Sequence, residues 1–214
     1  MRLSASGVHI LTSDRVSLDQ QFPALVLAAG RASRMGRAKQ LLVMPGRGTL
    51  LDNAIAQAGL LSGQVRVVVG SGYPLVRYRC RRQPAGWIYH PGWSQGLSQS
   101  LIAGIRALGP RALGVFVLLG DQPLLDPRGL AELARCARAQ PGVAWAANYG
   151  ARVGVPAWVP RALWGEVAAL TGDAGAGVVL NRAGARPIDL QGVQQDVDTP
   201  QDWLSVKQRL AEQS

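Results

Sequence analysis

The sequence predicts an α/β domain in which helices cover both faces of a parallel sheet. Apolar runs rich in β-branched residues alternate with helical patterns along much of the chain, and this alternation is typical of βαβ units. The runs are apolar at consecutive positions rather than at every second position, which indicates strands that are buried on both faces. Together the two observations predict a sheet that lies between layers of helices.

Seven segments are predicted as strands. The first four are short apolar or aromatic runs that each end at a glycine or a proline, and they cover residues 23–29, 65–69, 86–90 and 113–119. A fifth strand is predicted over residues 143–147. Beyond Asn148 the alternation becomes less regular, and two short strands are predicted there, over residues 186–190 and 194–197.

Six helices are predicted between and after these strands. Thr49 is a favourable N-cap for a helix over residues 49–60. Leu97, Leu101 and Ile105 recur at helical spacing and predict a helix over residues 98–108. Pro127 suits the first turn of a helix over residues 127–139. The remaining helices are predicted over residues 161–170, 175–183 and 201–212.

Length and composition are those of one globular domain. The chain has 214 residues, of which 48% are hydrophobic and 17% charged, and this balance excludes a mainly disordered protein. We expect a single domain over residues 22–214 and an N-terminal extension over residues 1–21, which is either disordered or an overlong start. The longest apolar run, residues 113–119, is too short for a membrane helix. Without a signal-peptide pattern or a cysteine framework, we expect a cytoplasmic protein.

The charge balance is strongly basic, with 23 Lys and Arg residues against 13 Asp and Glu residues. A net charge of +10 suits an anionic partner, such as nucleic acid, a membrane surface or a phosphorylated small molecule. The alternative is a biased genome composition that has no functional meaning. One dense cluster, from Arg31 to Arg47, follows the first predicted strand in a glycine-containing loop, and this position favours a bound phosphate.

The loop from Leu27 to Lys39 matches neither of two common phosphate motifs. It lacks the G-x-G-x-x-G of dinucleotide-binding proteins, and five residues rather than four separate Gly30 from Gly36, so it is not a Walker loop. It nevertheless combines glycines, which let backbone N–H groups approach an anion, with basic side chains. The alternative is an ordinary solvated βα loop that happens to be basic.

Two acidic segments could hold a metal ion. Asp121 directly follows the predicted strand 113–119, and α/β sheets bind ligands at the carboxyl ends of their strands. Opposite a phosphate-binding loop, its carboxylate would suit Mg²⁺, although an Asp in a D-x-P turn can simply accept backbone hydrogen bonds. Asp196 and Asp198 are expected to point the same way at strand spacing and to supply a second carboxylate. In the alternative interpretation, Asp198 or Thr199 only caps the last helix.

The segment from His90 to Ser100 leads into a helix and is rich in glycine and hydroxyl groups. Such a helix start can receive the polar groups of a nucleotide, although Ser98 could serve only as a cap. The chain has two histidines and two widely separated cysteines, so a zinc site or a Cys/His nucleophile is not expected.

Four segments in this order resemble the MobA-like NTP transferase family, and most of all its molybdenum cofactor cytidylyltransferases: LAAGRASRMGRAKQLL, HPGWSQGLSQSL, VFVLLGDQP and DVDTPQDW. The resemblance covers nearly all of the chain after the predicted extension. It implies a Rossmann-like three-layer sandwich of the nucleotide-diphospho-sugar transferase type, with a mostly parallel central sheet. It also implies Mg²⁺-dependent transfer of a nucleotidyl group with release of pyrophosphate.

The resemblance also implies roles for individual residues. Lys39, Arg34 and Asp121 would be catalytic, and Asp121 and Asp198 would bind Mg²⁺. The nucleotide would be bound by Leu27, Ala28, Ala29, Gly30, Arg31, Arg34, Gly36, Lys39, Gly96, Ser98 and Ser100. The expected substrates are CTP, or another NTP, and the phosphate of molybdopterin, with a transient contact to a molybdenum hydroxylase and with no nucleic acid or membrane partner.

Two positions depart from the pattern of the family. Val155 stands where relatives often have histidine, and Gly177 stands where they often have arginine. Both lie in the half of the chain that is expected to bind the acceptor. Other phosphorylated acceptors, such as a sugar phosphate or methylerythritol phosphate, therefore stay open. So does a non-enzymatic role, in which the protein holds a finished cofactor and delivers it to a hydroxylase.

Overall fold

In a computed structural model, residues 19–212 form a three-layer α/β sandwich around a seven-stranded sheet. Residues 1–18, which make up most of the predicted extension, lie outside the described residues. Residues 20 and 21 contact the domain. Gln20 Oε1 accepts a hydrogen bond from Arg111 Nη1 at 2.9 Å, and the carbonyl of Gln21 accepts one from the Leu113 N–H, also at 2.9 Å. Among the described residues, no helix is both long and apolar enough to cross a bilayer.

The sheet has the strand order β5-β4-β1-β6-β8-β7-β9. Its strands are β1 (Ala24–Ala28), β4 (Val65–Val69), β5 (Gly86–Tyr89), β6 (Gly114–Leu119), β7 (Trp145–Asn148), β8 (Val153–Pro160) and β9 (Arg186–Ile188), while β2 (Val43–Met44) and β3 (Gly48–Thr49) form a separate small hairpin. All pairs in the large sheet are parallel except those of β8, which runs antiparallel to both of its neighbours. The mostly parallel α/β sheet predicted from the sequence is therefore confirmed.

Seven α-helices lie wholly within residues 19–212, and their apolar faces pack on the sheet or on its edge. They are α1 (Leu50–Gly59), α2 (Leu75–Arg79), α3 (Leu97–Arg106), α4 (Pro127–Ala139), α5 (Trp164–Ala168), α6 (Ala176–Arg182) and α7 (Pro200–Glu212). Strand β1 explains why the strand runs are continuously apolar: Val26 packs in the cluster with α1 and α4, and Leu25 packs in the cluster with α3 and α6. Burial of both faces thus matches the sequence pattern.

Strand β8 is missing from the sequence prediction. Its Gly154 and Pro156 weaken any strand pattern, because glycine and proline normally interrupt regular pairing. In the structure, the pairing of β7 with β8 passes from Ala146–Ala157 to Ala147–Gly154 and skips Pro156. The proline therefore lies in a bulge, where its missing N–H costs no ladder hydrogen bond.

Two other predicted strands need correction. The predicted strand over residues 194–197 does not form; these residues belong to a turn and an irregular segment. The segment is fixed instead by Val197, which is fully buried and whose N–H donates to the Asp121 carbonyl at 2.9 Å. The strand predicted over residues 143–147 begins later, and Trp145–Asn148 is the observed range of β7.

A small core beside the sheet joins the loop after β1 to the C-terminal helix. Met35 and Leu42 from that loop pack with Val197 and with Trp203 and Val206 of α7. Trp203 is only 6% exposed. This third cluster holds together two segments that are far apart in sequence and that both carry predicted site residues.

Candidate active site

The predicted site residues meet at the carboxyl ends of β1 and β6. These neighbouring strands run parallel. The strand that follows β1 in the large sheet, β4, lies on one side of β1, and β6 lies on the other side of β1. A crevice at such a switch point is the usual ligand site of open α/β sheets. Here it holds a cleft of about 340 Å³, the first cleft. Nine of the predicted residues line it: Leu27, Ala28, Ala29, Gly30, Arg31, Lys39, Gly96, Ser100 and Asp121.

Lys39 forms the centre of an ion-pair network. Its Nζ lies 2.5 Å from Asp121 Oδ2 and 2.8 Å from Asp198 Oδ1. The Lys39 side chain is only 15% exposed, so water screens these contacts weakly. Arg34 Nη2 approaches Asp198 Oδ2 at 3.1 Å, but this guanidinium is largely exposed, and such a pair contributes little stability. The two predicted metal ligands thus share one ammonium group.

The network shifts the pKa values of Lys39 and Asp198 toward the charged forms. Burial by itself lowers the pKa of Lys39, but the opposite charge and hydrogen bond of Asp121 outweigh it, and the pKa is raised. The hydrogen bond from Lys39 lowers the pKa of Asp198, with smaller effects of the Lys39 and Arg34 charges. Lys39 and Asp198 are therefore both charged at neutral pH.

The loop after β1 is held in place by a residue that the sequence analysis did not select. Gln40 is almost fully buried, and its Nε2 donates to the carbonyls of Ala28 and Gly30, each at 2.9 Å. The loop turns through Ala32 and Gly36, whose φ angles are +55° and +65°. Arg31 and Gly36 also line a separate basic depression of about 480 Å³. In the sequence, the only sign of this role is a polar residue directly after Lys39.

The start of α3 is fastened to the segment after α5. Ser98 is fully buried, and its N–H and hydroxyl both donate to the Gly172 carbonyl, at 3.1 and 2.8 Å. The Ser98 hydroxyl is therefore not a lining group of the first cleft, whereas Gly96 and Ser100 are. Trp93 and Asp173 also line the cleft and were not selected as site residues; Asp173 belongs to the G-D-A-G segment at residues 172–175.

Asp121 offers an atom that suits a metal ion. Its Oδ1 is buried and has no hydrogen-bond partner among the described residues. An unpartnered buried carboxylate oxygen is costly, and a hard cation is a natural partner for it. Within residues 19–212, no group of three or more His, Cys, Asp or Glu side chains is placed to hold a metal. A bound ion would therefore need ligands from a substrate, as Mg²⁺ commonly takes from phosphates.

Asp196 does not join Asp198, contrary to the expectation from strand spacing. Asp198 contacts Lys39, whereas Asp196 lines a separate cavity of about 440 Å³, the second cavity. Enclosure and the nearby Asp121 charge raise the pKa of Asp196 to about 6. The two carboxylates diverge because the segment is irregular, so that strand alternation does not apply to it.

Comparisons with known proteins place the chain in one protein family. The model of the MobA-like NTP transferase domain matches residues 24–187. The solved structure of Rv0371c from Mycobacterium tuberculosis H37Rv is 30% identical and has a TM-score of 0.75, with 88% of this chain and 98% of that chain covered. The same mycobacterial protein has been solved in complex with manganese, at 28% identity and a TM-score of 0.74, with 88% and 98% covered. A search of curated proteins found no match.

A more distant structure shares the fold. A nucleotidyl transferase from Methanothermobacter thermautotrophicus is 21% identical and has a TM-score of 0.75, with 91% of this chain and 99% of that chain covered. Nucleotidyltransferases of this family commonly use divalent metals, and the carboxylates here are compatible with one. The chain is thus a nucleotidyltransferase that belongs to the MobA-like NTP transferase family.

Proposed function

We propose that this enzyme transfers CMP from CTP to the phosphate of molybdopterin and releases pyrophosphate. The observation that supports this reaction most strongly is the convergence of Lys39, Asp121 and Asp198 beside a basic, glycine-containing loop. Phosphoryl and nucleotidyl transfer depend mainly on positioning and on charge stabilisation, and this site offers both. Binding of CTP in the first cleft would bring its phosphates to Lys39 and to the loop.

The acceptor needs no general base. A phosphate monoester has a second pKa of about 6, so at neutral pH it is mostly a dianion that can attack the α-phosphorus of CTP directly. The barrier lies in bringing anions together and in stabilising the departing pyrophosphate. Lys39, Arg34 and the N–H groups of the loop would neutralise this charge. The absence of a histidine from the lining of the first cleft is consistent with this mechanism.

Asp121 and Asp198 would hold Mg²⁺. The ion would stabilise the charge on the phosphate oxygens. The unpartnered Oδ1 of Asp121 supports this assignment, because it is a free carboxylate acceptor at the carboxyl end of β6. Asp198 would contribute once Lys39 turns from the carboxylates to the triphosphate.

The choice of CTP is supported by Ala29. The residue is 3% exposed and lines the first cleft, so its methyl group occupies space that a larger purine base would need. The resemblance also associates L-A-A-G with cytidylyl transfer and L-A-G-G with guanylyl transfer. The volume of one methyl group changes the free-energy difference between binding of CTP and of GTP by only about 1–3 kcal/mol. Backbone groups near Gly96 must therefore add hydrogen bonds to the cytosine.

The test is pyrophosphate release from each of the four NTPs with molybdopterin as acceptor. We expect CTP to be preferred over GTP by about tenfold or more in kcat/KM, and Ala29→Gly to narrow the ratio. A preference for GTP would reject the cytidylyl assignment. Turnover with a sugar phosphate or methylerythritol phosphate instead would show that the acceptor is not molybdopterin.

A delivery protein for a molybdenum hydroxylase is the competing function. No release of pyrophosphate with any acceptor would favour it. The intact Lys39, Asp121 and Asp198 network argues for turnover instead, since a carrier would not need it. The proposal places the reaction in the cytoplasm and takes a molybdenum hydroxylase as the recipient of the product.

A further inference from the structure

A groove of about 840 Å³, the hairpin groove, lies between the β2–β3 hairpin and the end of α2. Its lining includes Val43, Met44 and Pro45 on the hairpin side and Tyr78, Arg79 and Arg81 on the side of α2. It shares no lining residue with the first cleft or with the second cavity. The groove is therefore separate from the site proposed for nucleotidyl transfer.

Large side chains with apolar surface are open to solvent at this groove. Val43 is 71% exposed and Tyr78 is 84% exposed. The adjacent Met44 is only 1% exposed and packs in the third cluster, so the hairpin wall of the groove is fixed to the body of the protein. Exposed apolar groups with tyrosine and arginine are typical of surfaces that bind another protein.

The charged side chains of the hairpin groove are all basic. Arg79 and Arg81 line it, and no acidic residue does. Both arginines are exposed, and neither forms an ion pair within residues 19–212. They belong to a dense run of arginines over residues 77–82 that the proposed reaction does not use. Guanidinium groups of this kind bind carboxylates well, because two N–H donors match two oxygens.

This chain is a poor source of the matching negative charge. Residues 1–18 contain Arg2, Arg15 and one acidic residue, Asp14, so they are basic overall. A second copy of the chain would bring a net charge of +10. Two of its exposed carboxylates, Glu132 and Glu166, already pair with arginines of the same chain. The charge balance favours a different, negatively charged molecule as the occupant.

A polypeptide matches the groove better than a nucleic acid or a membrane. Proteins that bind single-stranded nucleic acid stack successive bases on several aromatic side chains, but Tyr78 is the only aromatic residue of the lining. A flat bilayer surface does not enter a concave groove. The aliphatic groups of Val43 and Pro45 gain free energy by covering an apolar side chain, and the carboxylates of the same peptide can reach Arg79 and Arg81.

We propose that the hairpin groove binds an acidic polypeptide segment of another protein. An apolar side chain of this segment packs against Val43 and Tyr78, and its carboxylates pair with Arg79 and Arg81. Leu41 also lines the groove and lies in the same 3₁₀ helix, Lys39–Leu41, as the lysine of the first cleft. A bound partner therefore contacts the segment that carries this lysine.

Selection from a phage-displayed library of random peptides tests the proposal without assuming a sequence. Peptides of about twelve residues, roughly 40 Å long when extended, are selected on the full chain at about 150 mM salt, where long-range charge attraction is screened. We expect the selected peptides to be rich in Asp and Glu and to share a large apolar residue. A selection that yields no binding peptide, or only peptides without net negative charge, would overturn the proposal.

Fluorescence anisotropy with the selected peptides locates their site. We expect Arg79→Glu/Arg81→Glu to weaken binding by about tenfold or more, and Val43→Ser, which changes no charge, to weaken it by about threefold. Arg106→Glu/Arg128→Glu is the matched control, because it makes the same change in net charge at two exposed arginines outside the groove. Equal affinities of the groove variant and this control would contradict the assignment.

Two other anionic probes separate a polypeptide from the other classes of partner. Single-stranded RNA and vesicles that contain phosphatidylserine are titrated with the same two double variants. We expect each probe to bind both variants equally, since the variants have the same net charge. Weaker binding of RNA or vesicles to the groove variant than to the control would assign the groove to that class and overturn the proposal.

Discussion

Asp121 is the residue whose change should separate catalysis from folding. Asp121→Asn keeps the size of the side chain but removes the charge that would hold a metal ion and that pairs with Lys39. We expect Mg²⁺-dependent turnover to fall by about a hundredfold or more, as for loss of one preorganised electrostatic contact. Steady-state pyrophosphate release measures the effect, and circular dichroism checks the fold. Normal activity would remove Asp121 from the site.

Lys39 should affect the chemical step through the departing pyrophosphate. Lys39→Ala removes the ammonium that bridges Asp121 and Asp198, and we expect single-turnover rates to drop by about a hundredfold, or about 3 kcal/mol. Lys207→Ala is the matched control, since this lysine lies on the outer part of α7 and is exposed. Unchanged single-turnover rates in Lys39→Ala would make Lys39 a purely structural residue.

Asp52 links stability to pH at a distance from the active site. Burial by itself raises the pKa of Asp52, but the Arg82 and Thr49 N–H donors, at 2.6 and 2.7 Å, outweigh it and lower the pKa below 3.8. A carboxyl with a lowered pKa adds stability above its ordinary value, and this stability is lost as the pH falls through the lowered value. Acid should therefore weaken this part of the fold.

The expected effect of Asp52→Asn is a loss of about 2 kcal/mol in the free energy of unfolding at pH 7, with a smaller loss at pH 3. Urea unfolding at the two pH values measures it, and Glu212→Gln at the exposed end of α7 is the control. Burial and Asp52 also raise the pKa of the Cys80 thiol to about 12, so in the variant this thiol should react faster with iodoacetamide. An equal loss at both pH values would contradict the role of the charge.

At the scale of single elements, the features predicted correctly from the sequence are those that depend on residues close together in the chain. Thr49 caps α1, and the Asp52 carboxylate accepts from the Thr49 N–H in return, a capping box that is visible in the order of the residues. Strand β8 was missed because tertiary pairing, through a bulge at Pro156, supplies what the local pattern lacks. The expected alignment of Asp196 with Asp198 was wrong for the same reason: contacts with Asp121 and Lys39, not strand alternation, fix that segment.

The turn before α3 depends on Gly96. Its φ of +109° is strained for any other residue, and an added Cβ would lie 2.2 Å from the Gly172 carbonyl oxygen. We expect Gly96→Ala to destabilise the fold by about 1–3 kcal/mol and to weaken CTP binding, since Gly96 lines the first cleft. Gly59→Ala is the control, because nothing lies within 4 Å of a Cβ there. Urea unfolding and calorimetric titration with CTP measure the two effects, and equal behaviour of both variants would contradict the argument.

At the scale of the whole molecule, the active site depends on contacts between distant parts of the chain. Lys39 and Asp198 are 159 positions apart, yet they form a hydrogen bond of 2.8 Å. The sequence could name both residues by motif, but not that an ammonium would lie between the two carboxylates. That arrangement results from the third cluster, which packs Met35 and Leu42 against α7.

Trp203 should therefore couple stability to the active site. Trp203→Ala removes a large buried side chain from the third cluster, and we expect a loss of about 3–5 kcal/mol in the free energy of unfolding. Leu204→Ala, next along α7 and 47% exposed, should change it by less than about 0.5 kcal/mol. Because Asp198 lies two residues before the first residue of α7, CTP binding in the presence of Mg²⁺ should weaken only in the tryptophan variant. Unfolding curves and calorimetry give both quantities.

The position of Lys39 has a consequence for how the site fills. Its ammonium is an internal counter-ion, which lies between the Asp121 and Asp198 carboxylates and offsets their mutual repulsion. If a divalent ion bound these carboxylates without a nucleotide, the Lys39 ammonium would lose both of its acceptors. If the ion binds together with a triphosphate, the phosphate oxygens can accept from the Lys39 ammonium in place of the carboxylate oxygens. If Asp121 and Asp198 hold Mg²⁺ as proposed, we expect the site to bind the cation and the nucleotide together more tightly than either one alone.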